Sequence, residues 1–179
     1  MKVELIDKMG TDLSVVNAAR VSYAKEKEEF EESDERLIRY LAEHKHWSPF
    51  AHTFLSFRIK APVFVARQLV KHQVGLVWNE ESRRYITHDP EIYNIRKWRE
   101  KPDSSKQGSG EQIIISTELN LEVNEHLQQG LSLYNRLLLE NVAPEQARAI
   151  LPQSMYTNWI WSGTLYALSL IHISEPTRL

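Results

Sequence analysis

Thr53-Phe54-Leu55-Ser56-Phe57-Arg58-Ile59-Lys60 sets Leu55, Phe57 and Ile59 on one face and Phe54, Ser56, Arg58 and Lys60 on the other. Side chains alternate across a strand, so this stretch predicts a half-buried β-strand. Pro62 follows closely. Its missing N–H is no loss in the first turn of a helix, where a helix through Val70 is expected. Just upstream, Pro49 in His46-Trp47-Ser48-Pro49-Phe50 disfavours helical backbone at Ser48 and separates the strand from what precedes it.

Working towards the N-terminus, Ser33 is the expected cap of a helix reaching about Lys45, with Asp34 and Glu35 near its positive end and Leu37, Ile38 and Leu41 facing the core. Glu26 to Glu32 is a charged bridge. Asp12 to Lys25 carries Leu13, Val16, Ala19 and Tyr23 at helical spacing, and Val3 to Asp7 reads as a short strand. Towards the C-terminus, Gln73 to Asn79 is expected to be irregular and Arg83 to Thr87 a strand edge. Lys97 to Gln112, with Pro102, Gly108 and Gly110, reads as a surface loop. Ile113 to Asn141 repeats Leu119, Val123, Leu127, Leu131, Tyr134 and Leu138 at helical spacing. Pro144 opens a helix over Glu145 to Leu151 that Pro152 ends, and Met155 to Trp161 is extended. No internal repeat is present. These elements make one α+β domain with a modest sheet and several helices.

At 179 residues the chain is long enough to bury a core without staples. It has no cysteine, which excludes disulfides, thiolate metal sites and a cysteine nucleophile. A net charge of −2 gives no basic field for nucleic acid. The charged residues Lys2, Glu4, Asp7 and Lys8 do not suit a signal peptide, and no apolar run approaches a membrane span. A cytoplasmic protein is expected, with no membrane and no nucleic-acid partner.

The densest chemistry lies between Arg67 and Tyr85. Lys71, His72, Arg83 and Arg84 are cations, Gln68, Asn79 and Ser82 are neutral hydrogen-bonding groups, and Glu80 and Glu81 are acceptors. Such a set suits a ligand with phosphates and a polar ring, or simply a solvated charged turn. A catalytic zinc site needs three convergent ligands with an open position, which the strand and loop positions of His44, His46 and His52 do not guarantee, so no metal is expected. Ser82 lacks the Gly-x-Ser-x-Gly surround of a hydrolase nucleophile. Trp159 and Trp161, alternating with Ile160, read as core or interface residues.

Three segments in order carry a family resemblance. Lys71-His72-Gln73, eight residues and Ser82, with Asn79-Glu80 before it and Arg84-Tyr85 after it, is similar to the Arg-His-Arg, seven residues, Ser pattern of flavin-dependent thymidylate synthases. Lys and Gln replace the two arginines and one residue is added, as in a variant found in phage members. His46-Trp47-Ser48-Pro49-Phe50 and Ala147-Arg148-Ala149-Ile150-Leu151-Pro152 resemble two further segments of that family. The resemblance spans nearly all of Met1 to Ala167.

The resemblance implies a single α+β domain with a central, mostly antiparallel sheet flanked by helices. It implies methylation of dUMP to dTMP, with 5,10-methylenetetrahydrofolate as carbon donor and FAD with NADPH as reductant. Ser48, Lys71, His72, Gln73 and Glu80 would contact FAD, with Asn79 supporting the turn. Gln68, Lys71, Glu80, Ser82, Arg83, Arg84 and Arg148 would contact dUMP. A homotetramer with FAD between subunits is implied as well. The family's uracil-activating Arg would fall at about Glu175, so no catalytic residue is assigned here, and a late FAD-holding Asn is also missing. Leu168 to Arg178 is similar to the translation of a transposase adapter used in library sequencing. Residues 168–179 are therefore expected not to be native, and 1–167 to be the domain. Two other readings stand beside the enzyme: a non-catalytic or decayed dUMP- and FAD-binding homologue, and a single-stranded nucleic-acid binder using Trp159, Trp161, Arg83 and Arg84, which the net charge argues against.

Overall fold

The computed structural model describes residues 1–86, 88–102 and 108–171. In chain order its elements are β1 (Lys2–Met9), α1 (Asp12–Arg20), α2 (Glu32–Glu43), β2 (Phe54–Pro62), α3 (Val63–Leu69) and β3 (Leu76–Glu80). These are followed by β4 (Trp98–Arg99), β5 (Gln112–Ile113), α4 (Thr117–Leu139), α5 (Pro144–Ala147), β6 (Tyr156–Thr164) and α6 (Leu165–Ser169). A four-stranded sheet runs β1-β2-β6-β3 with every neighbouring pair antiparallel. The single domain is thus α+β, with helices packed about an antiparallel sheet.

The alternation at Thr53–Lys60 forms β2, which continues to Pro62 opposite Tyr156. Pro62, with extended backbone, therefore closes the strand and caps α3 from outside, instead of sitting in its first turn. β6 runs three residues beyond the expected end at Trp161, to Thr164. It alternates strictly, burying Thr157, Trp159, Trp161 and Gly163. With Ile59, Ala61 and Ala66 of α3, the two tryptophans make the core, against which Phe57, Val65, Leu69, Leu76 and Trp78 pack. Trp78 stacks on Trp159 with ring centroids 4.5 Å apart. The opposite face is polar, where Ser162 Oγ donates to Ser56 Oγ at 2.9 Å.

Several local expectations are corrected. Leu76–Glu80 is a strand, not irregular chain, because β6 supplies its hydrogen-bonding partner. Arg83 to Tyr85 is a turn, closed by Tyr85 N–H on the Ser82 carbonyl at 3.0 Å, and Thr87 lies outside the described residues. The expected loop at 97–112 contains the β4–β5 pairing, with residues 103–107 undescribed. α4 starts at Thr117, where the Ser116 hydroxyl accepts the Leu119 N–H at 3.1 Å. Of its expected inward positions Tyr134 is fully buried, whereas Leu119 is 47% exposed.

The first helices are clamped by an acid. α1 ends at Arg20, short of the expected Lys25; one 3₁₀ turn, Val21–Tyr23, follows, and Ala24 at φ 54 ends the helical run. α2 is capped by Glu31, not Ser33. Asp34 accepts the Glu31 N–H at 3.0 Å, the reciprocal half of a capping box. The Asp34 side chain is fully buried and also meets Lys27 Nζ at 2.6 Å and Arg20 at 2.9 Å. Chiefly through the Lys27 ammonium, its carboxyl is pulled down to about 2. The same contact, with Glu31 second, raises the Lys27 ammonium.

Candidate active site

The residues that read as one motif are divided by a strand. After α3 the chain turns, with His72 N–H on the Leu69 carbonyl at 3.0 Å and Leu76 N–H on the Gln73 carbonyl at 3.2 Å. Gly75 makes that turn at φ 74, which side chains rarely tolerate, and a Cβ there would stand 3.0 Å from Ala167 Cβ. Lys71 and Gln73 are exposed on this turn and His72 is half-buried; Gln68 is exposed at the end of α3. Ser48 is exposed at the start of a 3₁₀ turn, Ser48–His52. That segment also meets α6, through Trp47 and Tyr166 with ring centroids 5.6 Å apart. Short α6 is thus a common neighbour of the Ser48 segment and the Lys71–Gln73 turn.

β3 then carries the chain about 13 Å, four steps of about 3.3 Å, to the second group. Here Glu80 and Glu81 are gripped by β6. Thr157 Oγ1 donates to Glu80 Oε1 at 2.7 Å, and Trp78 Nε1 to Glu80 Oε2 at 3.3 Å. Asn158 Nδ2 donates to Glu81 Oε2 at 2.7 Å, and Glu81 N–H to the Asn158 carbonyl at 2.9 Å. Asn79 is exposed and points from the other face of β3 than Glu80. In the following turn the Ser82 hydroxyl accepts from Arg84 N–H and Nε at 3.4 and 3.3 Å. The exposed Arg84 guanidinium lies 5.1 Å from the Tyr85 ring centre.

Arg83 and Arg84, adjacent in sequence, have different surroundings. Arg83 is 6% exposed and donates to the His88 carbonyl, and its Nε has no partner among the described residues. It staples the turn from within, while Arg84 faces outward. Arg148 is exposed on a 3₁₀ turn of its own and donates locally, Nε to the Glu145 carbonyl at 3.3 Å. The Leu151-Pro152 segment beyond it is tied to the start of α3, through Phe64 N–H on the Gln153 carbonyl at 3.0 Å. The structure therefore brings together Glu80, Ser82, Arg83 and Arg84 at one end of β3, and Ser48 and Lys71–Gln73 at the other. The position near Glu175 lies outside the described residues. Among the described residues no group of three or more His, Asp or Glu could hold a metal ion. None of their helices is long and apolar enough to cross a membrane.

Sequence reasoning missed Thr157, Asn158 and Trp78. The signal was polarity: two hydrogen-bonding side chains directly precede the Trp159-Ile160-Trp161 run.

The family described as Thymidylate synthase complementing protein matches residues 4–175. A flavin-dependent thymidylate synthase of Kosmotoga olearia is 41% identical over 174 residues, covering 95% of this chain and 73% of that protein. One from Thermus thermophilus is 39% identical over 166 residues, covering 93% of this chain and 60% of that protein. Among solved structures, a UMP/dUMP methylase, PolB, from Streptomyces cacaoi bound with 5-Br dUMP superimposes with a TM-score of 0.78 at 34% identity. It covers 95% of this chain and 75% of that one.

Proposed function

This chain belongs to the Thymidylate synthase complementing protein family, and from that premise we propose that it methylates dUMP to dTMP as a flavin-dependent thymidylate synthase. The observation that carries this reading is the array at the end of β3: a carboxylate held rigid at Glu80 beside an outward-facing guanidinium at Arg84 and a hydroxyl at Ser82. A carboxylate accepts ring N–H groups, and a guanidinium binds phosphate or a uracil carbonyl. Cations placed at that carbonyl stabilise charge developing on the ring.

The donor set at the other end of β3 fits FAD. Lys71 offers an exposed cation for phosphate, while Ser48, His72 and Gln73 offer a hydroxyl, an imidazole and an amide for the polar flavin edge. When bound, FAD supplies the redox chemistry that turns a folate-borne one-carbon unit into a methyl group, with NADPH as the source of hydride. The carbon donor is 5,10-methylenetetrahydrofolate, and the chain's own residues orient the nucleotide.

The separation along β3 supports shared sites in a homotetramer, where one subunit's Lys71–Gln73 turn meets another's Glu80–Arg84 end. Apolar residues left open along α4 point the same way: Leu121 is 56% exposed and Leu139 86%. We place the enzyme in the cytoplasm, where reduced nicotinamide and folate are found. Lys71 and Gln73, standing where the family pattern has two arginines, fit one alternative, a homologue that binds dUMP and FAD without turnover. Release of tritium from ring-labelled dUMP, with FAD, NADPH and methylenetetrahydrofolate present, decides between them. Release supports the synthase; dUMP binding without release supports the alternative. An arm with labelled UMP tests the wider substrate range of the structural neighbour.

A further inference from the structure

We propose that Thr157 is a positioning residue, which fixes the plane of the Glu80 carboxylate for the uracil nucleotide; this rests on the reading above that Glu80 contacts that nucleotide. Glu80 sits on an edge strand and its side chain is exposed. A free glutamate there would wander through many rotamers, and each would have to be frozen on binding. Instead each oxygen has its own donor, Thr157 Oγ1 on Oε1 at 2.7 Å and Trp78 Nε1 on Oε2 at 3.3 Å. Two donors on two oxygens define the carboxylate plane as well as its position. The short hydroxyl bond to an ionised acceptor is the stronger of the two.

The register explains why Thr157 can do this. Glu80 pairs directly with Trp159, so Thr157, two residues along β6, is its diagonal neighbour on the same face. That face is the core face, and Thr157 is only 2% exposed. Its hydroxyl is shut off from solvent, and in this fold it is spent on Glu80 at the rim. Asn158 is on the opposite face and holds Glu81 instead. Two consecutive polar residues of the central strand thus serve two consecutive carboxylates on opposite faces. Of the two, Glu80 has its carboxylate on the side of the core tryptophans, hydrogen-bonded to Trp78 Nε1.

The test uses the full chain loaded with FAD. Thr157→Val keeps the shape and removes the donor; Thr157→Ser keeps the donor. Dissociation constants for dUMP come from calorimetry and unfolding midpoints from circular dichroism, with Glu80→Gln alongside. We expect Thr157→Val to weaken dUMP binding by about tenfold, the scale of one hydrogen bond to a charged group. Thr157→Ser should stay within about threefold of the parent at a similar unfolding midpoint. If Thr157→Val does not fold, Thr157→Cys, with its feeble S–H donor, carries the same expectation. Parent-like affinity in Thr157→Val with a weakened Glu80→Gln overturns the positioning role and leaves Glu80 in the site. Equal losses in the Val and Ser variants, tracking their unfolding midpoints, also overturn it, since a purely structural residue behaves that way. Parent-like affinity in Glu80→Gln removes Glu80 itself from the site, and the proposal with it.

Discussion

Trp159 offers a test in which two opposing terms can be separated. It is 2% exposed at the centre of the sheet and stacks on Trp78, yet its indole Nε1 is buried without a partner among the described residues. Burying about 200 Å² of indole at about 25 cal/mol per Å² contributes about 5 kcal/mol. A compact unfolded chain cuts that to about 3–4 kcal/mol. The stack on Trp78 adds about 1 kcal/mol. Against these, the unpaired N–H costs about 1–2 kcal/mol in the folded state. Trp159→Ala removes all three terms and should destabilise by about 3 kcal/mol, which lowers the melting temperature by about 10 °C in a chain this size. Trp159→Phe gives up about 1 kcal/mol of apolar contact and part of the stack, but also removes the orphaned N–H. Its cost should be within about 1 kcal/mol of zero. Urea unfolding followed by circular dichroism, at one fixed subunit concentration, measures both. If phenylalanine costs as much as alanine, the indole N–H is satisfied in solution and the accounting is refuted. If alanine costs under about 1 kcal/mol, Trp159 is not the centre of the core.

Other outcomes follow from the same geometry. Asp34 is held at about 2 against an ordinary 3.8, so its contribution is complete above the ordinary value and disappears as pH falls through about 2. Urea midpoints measured downward from about pH 5 should therefore fall less steeply for Asp34→Asn than for the parent. A Cβ at Gly163 would come within 2.4 Å of Leu76 Cδ2 and 2.5 Å of the Gly75 carbonyl oxygen. Gly163→Ala should thus cost at least about 1–3 kcal/mol and speed hydrogen exchange in Leu76–Glu80; unchanged exchange would mean that β3 can step aside. Arg84→Ala should weaken dUMP binding by about 1.5–3 kcal/mol in calorimetry and leave the unfolding midpoint alone. Arg83→Ala should lower that midpoint, because it strips the turn of its internal staple, and an exchange of the two phenotypes would reverse the assignments.

Legibility in the sequence followed the distance over which each interaction acts. β2 could be read because eight residues alternate without interruption, and Pro144 opens the helix it was expected to open. β3 could not. It is five residues long, follows a glycine turn, and becomes a strand only because β6 lies beside it some eighty positions later. Asp34 was legible as a residue favourable near a helix start, but not as a buried acid. Its cations come from α1 and from the bridge before α2, and their convergence is a product of packing. In the site, residue types were visible and their grouping was not. Lys71 to Arg84 reads as one motif, and the fold spreads it over both ends of a strand. Arg83 and Arg84 look equivalent as letters, yet one faces in and the other out.

The order of strands in the sheet has a consequence for synthesis. β2 and β3 are not paired with each other; β6, the last strand among the described residues, lies between them. Until it emerges from the ribosome, β3 has no hydrogen-bonding partner in the sheet and the Trp78 ring nothing to stack on, while β1 and β2 can already form their antiparallel pair. The Glu80 end of β3 is therefore assembled only when β6 arrives and closes two gaps at once. Contacts so distant along the chain close slowly. A nascent chain stalled before Tyr156 would show an open sheet edge to its surroundings, a state prone to association and dependent on chaperones.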